Sequence, residues 1–130
     1  MGIDPREVIL DSQGTLIVPF KVKQSGGVPT LKQSDIGKPV ALTGDIEAGP
    51  GEDGDIFLGE LMSVSSDGLI AGIKIRGIMK DVPYSGTTPE KGYGVQMSGN
   101  FTVDKNIDTG KGRGFVIKID TNSSTCDLIL

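Results

Sequence analysis

The side chains able to do chemistry fall into a few short groups. Glu52, Asp53 and Asp55 set three carboxylates within four residues, and hard cations such as calcium take oxygen ligands of that kind. Asp108-Thr109-Gly110 puts a carboxylate beside a hydroxyl in a glycine turn, a pattern that in a dimer brings two carboxylates together to share a proton. Cys126 is the single thiol, a nucleophile once it is deprotonated. Lys74, Arg76 and Lys80 place cations at alternate strand positions, the spacing of a basic stripe for phosphates. With no histidine in the chain, the common zinc sets and every His-dependent triad are excluded.

Each group also has a plainer reading. Asp108-Thr109-Gly110 is the triplet of aspartic proteases, but it runs into Lys111-Gly112-Arg113 where those enzymes carry a small residue, and only one hairpin follows. A glycine-rich turn explains it better. The acidic group has no EF-hand spacing, so Glu52, Asp53 and Asp55 are expected to form a solvated turn and remain only weak metal candidates. Cys126 is flanked by Thr125 and Asp127, with no positive neighbour to activate it, and is expected as a small apolar core residue. Lys74, Arg76 and Lys80 lack interleaved aromatics and are expected on a solvated sheet face. The sequons at Asn100 and Asn122 carry no weight, because the first residues lack the apolar stretch of a secretory signal. No catalytic constellation results, so the chain is expected to be no enzyme and to need no cofactor.

Whatever these residues do, β-strands must position them. Twenty glycines and seven prolines are spread over 130 residues, and the only stretch longer than ten without either is the last sixteen. Helices of ordinary length do not tolerate such spacing. What remains is an all-β chain, a small β-barrel or sandwich of SH3-like or β-tulip type, with about eight or nine short strands and one short helical turn. Ser65-Ser66-Asp67-Gly68 marks the clearest hairpin, with Ile73, Ile75 and Ile78 expected on one face and Lys74 and Arg76 on the other. Ser34-Asp35-Ile36-Gly37 before Pro39 reads as a capped turn of helix. Residues 45–55 read as a long exposed loop. Residues 95–97 and 100–103 read as a hairpin turning at Ser98-Gly99. In the last hairpin Phe115, Ile117 and Ile119 alternate against Val116, Lys118 and Asp120. Gly59, Gly72 and Gly77, inside strands, predict bulges or tight bends. Pro19 interrupts residues 15–22, so the chain divides into an extended arm, residues 1–27, and a barrel, residues 28–130.

Thirteen basic against seventeen acidic residues give a net charge of −4, which excludes a broad nucleic-acid surface. No apolar run is long enough to span a membrane, and the chain is expected in the cytosol when made.

Asp35-Ile36-Gly37-Lys38-Pro39-Val40-Ala41-Leu42-Thr43-Gly44, Gly54-Asp55-Ile56-Phe57-Leu58-Gly59-Glu60-Leu61 and Ile73-Lys74-Ile75-Arg76-Gly77, followed by Gly92-Tyr93-Gly94-Val95 and a terminal hairpin, resemble in order and pattern the small head decoration (cement) proteins of tailed bacteriophages and prophages. The resemblance runs from about residue 34 to residue 130. It implies a protein on the outer surface of the assembled head, with the major capsid protein as partner and a homo-oligomer, often a trimer, as the working unit. It implies no catalytic residues, no nucleic acid and no membrane. Val8, Ile9, Leu10, Leu16, Val18 and Phe20, in the expected arm, are the candidate partner contacts, since an extended apolar segment can add a strand to a sheet edge. A carbohydrate- or ligand-binding β module of a phage tail or surface assembly is the alternative, with Tyr84 and Tyr93 as its candidate aromatic platform.

Overall fold

A computed structural model describes residues 14–106 and 112–130. These residues form twelve strands and a single turn of 3₁₀ helix, Gln33–Asp35. The strands are β1 (Leu16–Val22), β2 (Gln24–Ser25), β3 (Val28–Pro29), β4 (Pro39–Gly44), β5 (Glu47–Gly49), β6 (Phe57–Val64), β7 (Ile70–Arg76), β8 (Ile78–Pro83), β9 (Val95–Gly99), β10 (Thr102–Lys105), β11 (Phe115–Asp120) and β12 (Thr125–Ile129). The all-β expectation holds, with a closed barrel of five strands in the order β1-β5-β4-β6-β7. A three-stranded sheet, β11-β12-β8, and the hairpin β9-β10 form a second region beside it.

Local chemistry explains much of this. Gly26 and Gly27 both take positive φ, 57° and 80°, so the two-residue turn between β2 and β3 twists with its strands. Asp35 closes the helical turn from inside: its Oδ2 accepts the Lys32 N–H at 3.0 Å and its Oδ1 meets the Lys38 ammonium at 3.0 Å. Gly68, at φ 74°, completes the β6–β7 turn by donating to the Ser65 carbonyl at 2.9 Å. Gly59 is required by contact, since a Cβ there would lie 2.1 Å from the Lys74 carbonyl oxygen across β6–β7.

Residues 16–22, expected in the N-terminal arm, are instead the strand that closes the barrel. β1 pairs antiparallel with β7 from Leu16 to Lys21 and parallel with β5 at Lys21 and Val22. Lys21 and Lys23 donate to Ile46 and Ala48, so odd-numbered nitrogens of β1 face β5. Pro19 shares that parity and falls before β5 begins, where the missing N–H leaves no gap in the ladder. The barrel therefore begins at β1 and not at residue 28.

Residues 45–55 also differ from expectation. β5 lies within them, with Ala48 fully buried. The β9–β10 turn sits at Asn100 and Phe101, beyond the expected Ser98-Gly99. In the last hairpin a register shift between Val116 and Lys118 reverses the alternation, so Val116 is buried and Phe115 is 51% exposed.

Two clusters make the core. Leu31, Val40, Ala48, Leu61, Ala71 and Ile73 lead the one inside the barrel. Met79, Val82, Val95, Met97, Val103, Val116, Cys126 and Leu128 form the other, together with Ala41 and Phe57 from the barrel wall.

Candidate functional site

The candidate residues scatter. Val8, Ile9 and Leu10, and likewise Asp108-Thr109-Gly110, lie outside the described residues. In the acidic turn the Asp55 carboxylate accepts the Glu52 N–H at 2.9 Å while Asp55 N–H returns to the Glu52 carbonyl at 3.0 Å. Among the described residues no three carboxylate, thiol or imidazole groups come together as a metal site. Cys126 is 1% exposed on β12, and burial first, then the neighbouring Asp127 carboxylate, pushes its thiol up to about 12. It is protonated at neutral pH and unsuited to nucleophilic work.

Lys74 overturns the solvated-face expectation. It is buried, with its ammonium 2.8 Å from Glu60 Oε1 and donating to the Ile78 carbonyl at 2.7 Å. A charge can be buried when paired and hydrogen-bonded, and this one ties β6, β7 and the start of β8 together. Arg113, which sequence reasoning passed over, does similar work. Its guanidinium donates to the Leu58 carbonyl and, at 2.6 Å, to the Ile75 carbonyl, while burial lowers its pKa. Its backbone bridges to Val95, so one residue spans both regions.

Of the candidate contacts on β1, Leu16 is 40% exposed, Val18 is half-buried and Phe20 packs against the barrel core. The exposed side of that strand is the other one, Ile17 and Pro19. The tyrosines do not share a platform. Tyr84 packs on the second core, and Tyr93 lies under the Lys105 ammonium, 4.7 Å from its ring centroid.

Two surface features are assembled. The first is an apolar row across the three-stranded sheet: Phe115 pairs with Ile129, and Ile129 with Ile78. The adjacent row, Val116, Leu128 and Met79, is fully buried, which leaves the Phe115 row on the outer face. Ile129 is 45% exposed, and with Ile78 it borders a notch of about 250 Å³ whose far wall is Gly14 and Thr15, immediately before Leu16. The second is a polar cleft of about 260 Å³ between the barrel and the β9–β10 turn. No protein-family model matches the chain and no curated protein is similar to it.

Proposed function

We propose that this protein decorates the outer surface of an assembled phage or prophage head and stabilises the shell. The observation that carries the reading is the apolar row Phe115–Ile129–Ile78 on the outer face of the three-stranded sheet, with Phe115 and Ile129 exposed and Ile78 half-buried, and with the exposed Leu16 just beyond the notch that Thr15 and Arg76 line. Side chains of that size do not stand together in water without cost, and contiguous exposed apolar surface marks contact sites. The motif order from Asp35 to the terminal hairpin supplies the identity of the partner, the major capsid protein.

Binding to the assembled lattice and not to loose subunits raises shell stability by mass action. Each contact is small, and many copies, or a homotrimer, supply avidity. Val8, Ile9 and Leu10 extend the contact by adding a strand to a capsid-protein sheet edge. No chemistry is performed; the residues act by shape and burial.

The test is co-sedimentation with matured, undecorated heads of its own phage. Wild type is expected to bind at micromolar concentration, Ile129→Asp to lose binding at least tenfold, and Ile46→Asp, at the opposite end of β1, to bind as wild type. Absence of wild-type co-sedimentation, or unchanged binding by Ile129→Asp, overturns the reading. Deleting residues 2–13 tests the added strand and leaves β1 and the barrel's melting transition in place.

A further inference from the structure

The polar cleft collects polar side chains from five separate segments. Lys23 follows β1, Ser25 lies in β2, Thr43 in β4, Glu52 and Asp55 in the loop after β5, and Asn100 in the β9–β10 turn. Among the described residues the Lys23 ammonium, the Ser25 hydroxyl, the Glu52 carboxylate and the Asn100 amide have no protein partner. Ser25, Glu52 and Asn100 are exposed and Lys23 is half-buried, so these donors and acceptors are hydrated in the free protein and a ligand that exchanges for that water meets all of them at once.

The walls are fixed from behind. Phe101 N–H donates to the Pro50 carbonyl at 3.0 Å, which holds the Asn100 turn against the loop after β5. Gly54 N–H donates to the Met97 carbonyl at 2.8 Å and Met97 N–H to the Asp55 carbonyl at 2.9 Å. Gly49 sits behind Lys23 and Thr43, where a Cβ would come within 3.0 Å of the Thr43 methyl and 3.3 Å of Lys23 Cβ. The missing side chain lets both line the cleft. Such preorganisation lowers the ordering cost of binding, and the junction between two packed regions is a usual place for a small-ligand site.

The lining also selects the ligand's chemistry. One ammonium faces two carboxylates, so phosphate and other anions are disfavoured, while Lys23 itself disfavours a metal cation. Acceptors and donors stand side by side, which suits groups that both donate and accept, as hydroxyls do. Pro50 and the Thr30 and Thr43 methyl groups add an apolar surface for a C–H face. We infer that this cleft binds one ring of a neutral saccharide, with Asn100, Glu52, Asp55 and Lys23 hydrogen-bonding its hydroxyls. No aromatic ring lines the cleft, so affinity is expected in the millimolar range. The inference concerns the free protein and does not rest on head binding.

The test is an amide-shift titration of the full chain by NMR with the methyl glycosides of glucose, galactose and mannose and with N-acetylglucosamine. Calcium chloride and sodium phosphate are run as separate arms. At least one sugar is expected to give saturable shifts confined to the amides of Ser25, Glu52, Asn100 and their neighbours. Asn100→Ala and, independently, Glu52→Gln are expected to weaken binding about tenfold, the loss of one or two hydrogen bonds, without changing the melting temperature. Absence of saturable shifts with all four sugars, shifts outside the cleft, or wild-type titration by both variants overturns the inference. The same amides responding only to calcium or phosphate would also overturn it, by assigning the cleft to an ion.

Discussion

The barrel and the β8–β12 region are built from similar short strands but close their cores in different ways. The barrel has no free edge, and every fully buried side chain of its cluster comes from its own strands or from Leu31 beside them. The second region is made of open sheets, and its cluster is completed by Ala41 and Phe57, which belong to β4 and β6 of the barrel. The fully buried methionines, Met79 and Met97, are both in the second region, where a flexible side chain fills the space between sheets that do not close. The buried charge differs as well. The barrel pairs Lys74 with Glu60, whereas Asp104 on β10 keeps one carboxylate oxygen, Oδ1, without a hydrogen-bond partner. For fully buried side chains dependence therefore runs one way: the barrel's cluster is its own, and the second region's cluster needs the barrel's outer wall.

Phe57→Ala is the strongest way to break this contrast, because it removes the largest side chain the barrel lends. A loss of about 3–5 kcal/mol is expected in urea unfolding, with amide exchange accelerating first in β8–β12. Equal acceleration in β1 and β7 would show that the two regions do not differ in dependence. Gly59→Ala strikes the barrel itself by forcing a methyl against the Lys74 carbonyl. About 3 kcal/mol is expected, with both regions unfolding in one transition; survival of β8–β12 alone would refute the one-way dependence.

Arg113→Met cuts the polar tie and keeps the packing, leaving the Leu58 and Ile75 carbonyls without their donor. About 2 kcal/mol is expected, read as a lower denaturation midpoint with the fold retained by circular dichroism. Asp104→Asn should give the smallest effect and one with a pH signature. Burial raises the Asp104 pKa above its ordinary 3.8, so ionisation costs the folded state, and stability falls as pH rises from the unfolded value through the folded one. The variant is expected to have a higher urea midpoint than wild type at pH 7 and the same midpoint at pH 3. Asp67, in the barrel hairpin, has the opposite sign. The Ser65 hydroxyl and the Leu69 N–H hold its carboxyl below the ordinary value, so its stabilisation is lost as pH falls through that lowered value.

Legibility followed the range of the interaction. The β6–β7 hairpin could be read from Asp67-Gly68, and the 3₁₀ turn from Asp35 ahead of Pro39, because both are local bargains between a side chain and its own backbone. Pro19 suggested an edge or an arm because a sequence does not say which side of a strand lacks a partner; β5 stops short of it. Glu47–Gly49 has too few apolar residues to signal a strand, yet β1 and β4 enclose it and bury Ala48. Lys74 read as solvated because alternation places it opposite Ile73, and only Glu60 and the Ile78 carbonyl make its burial tolerable. The inversion at Phe115 and Val116 came from a bulge set by β12. Of the surface features, Leu16 was named in advance, whereas the polar cleft joins residues up to 77 positions apart, from Lys23 to Asn100, and no spacing rule reaches that far.

The all-β class, the β6–β7 turn at Asp67-Gly68 and the exclusion of His-dependent chemistry were all legible from residue types alone. Those properties follow from backbone conformations and side-chain types, which each residue carries with it. Long-range pairing, by contrast, makes β1 close the barrel, turns Phe57 to the neighbouring core, buries Lys74 and brings Lys23, Glu52 and Asn100 into one cleft. These depend on pairings between distant segments, whose free energy exists only once the barrel has brought them together.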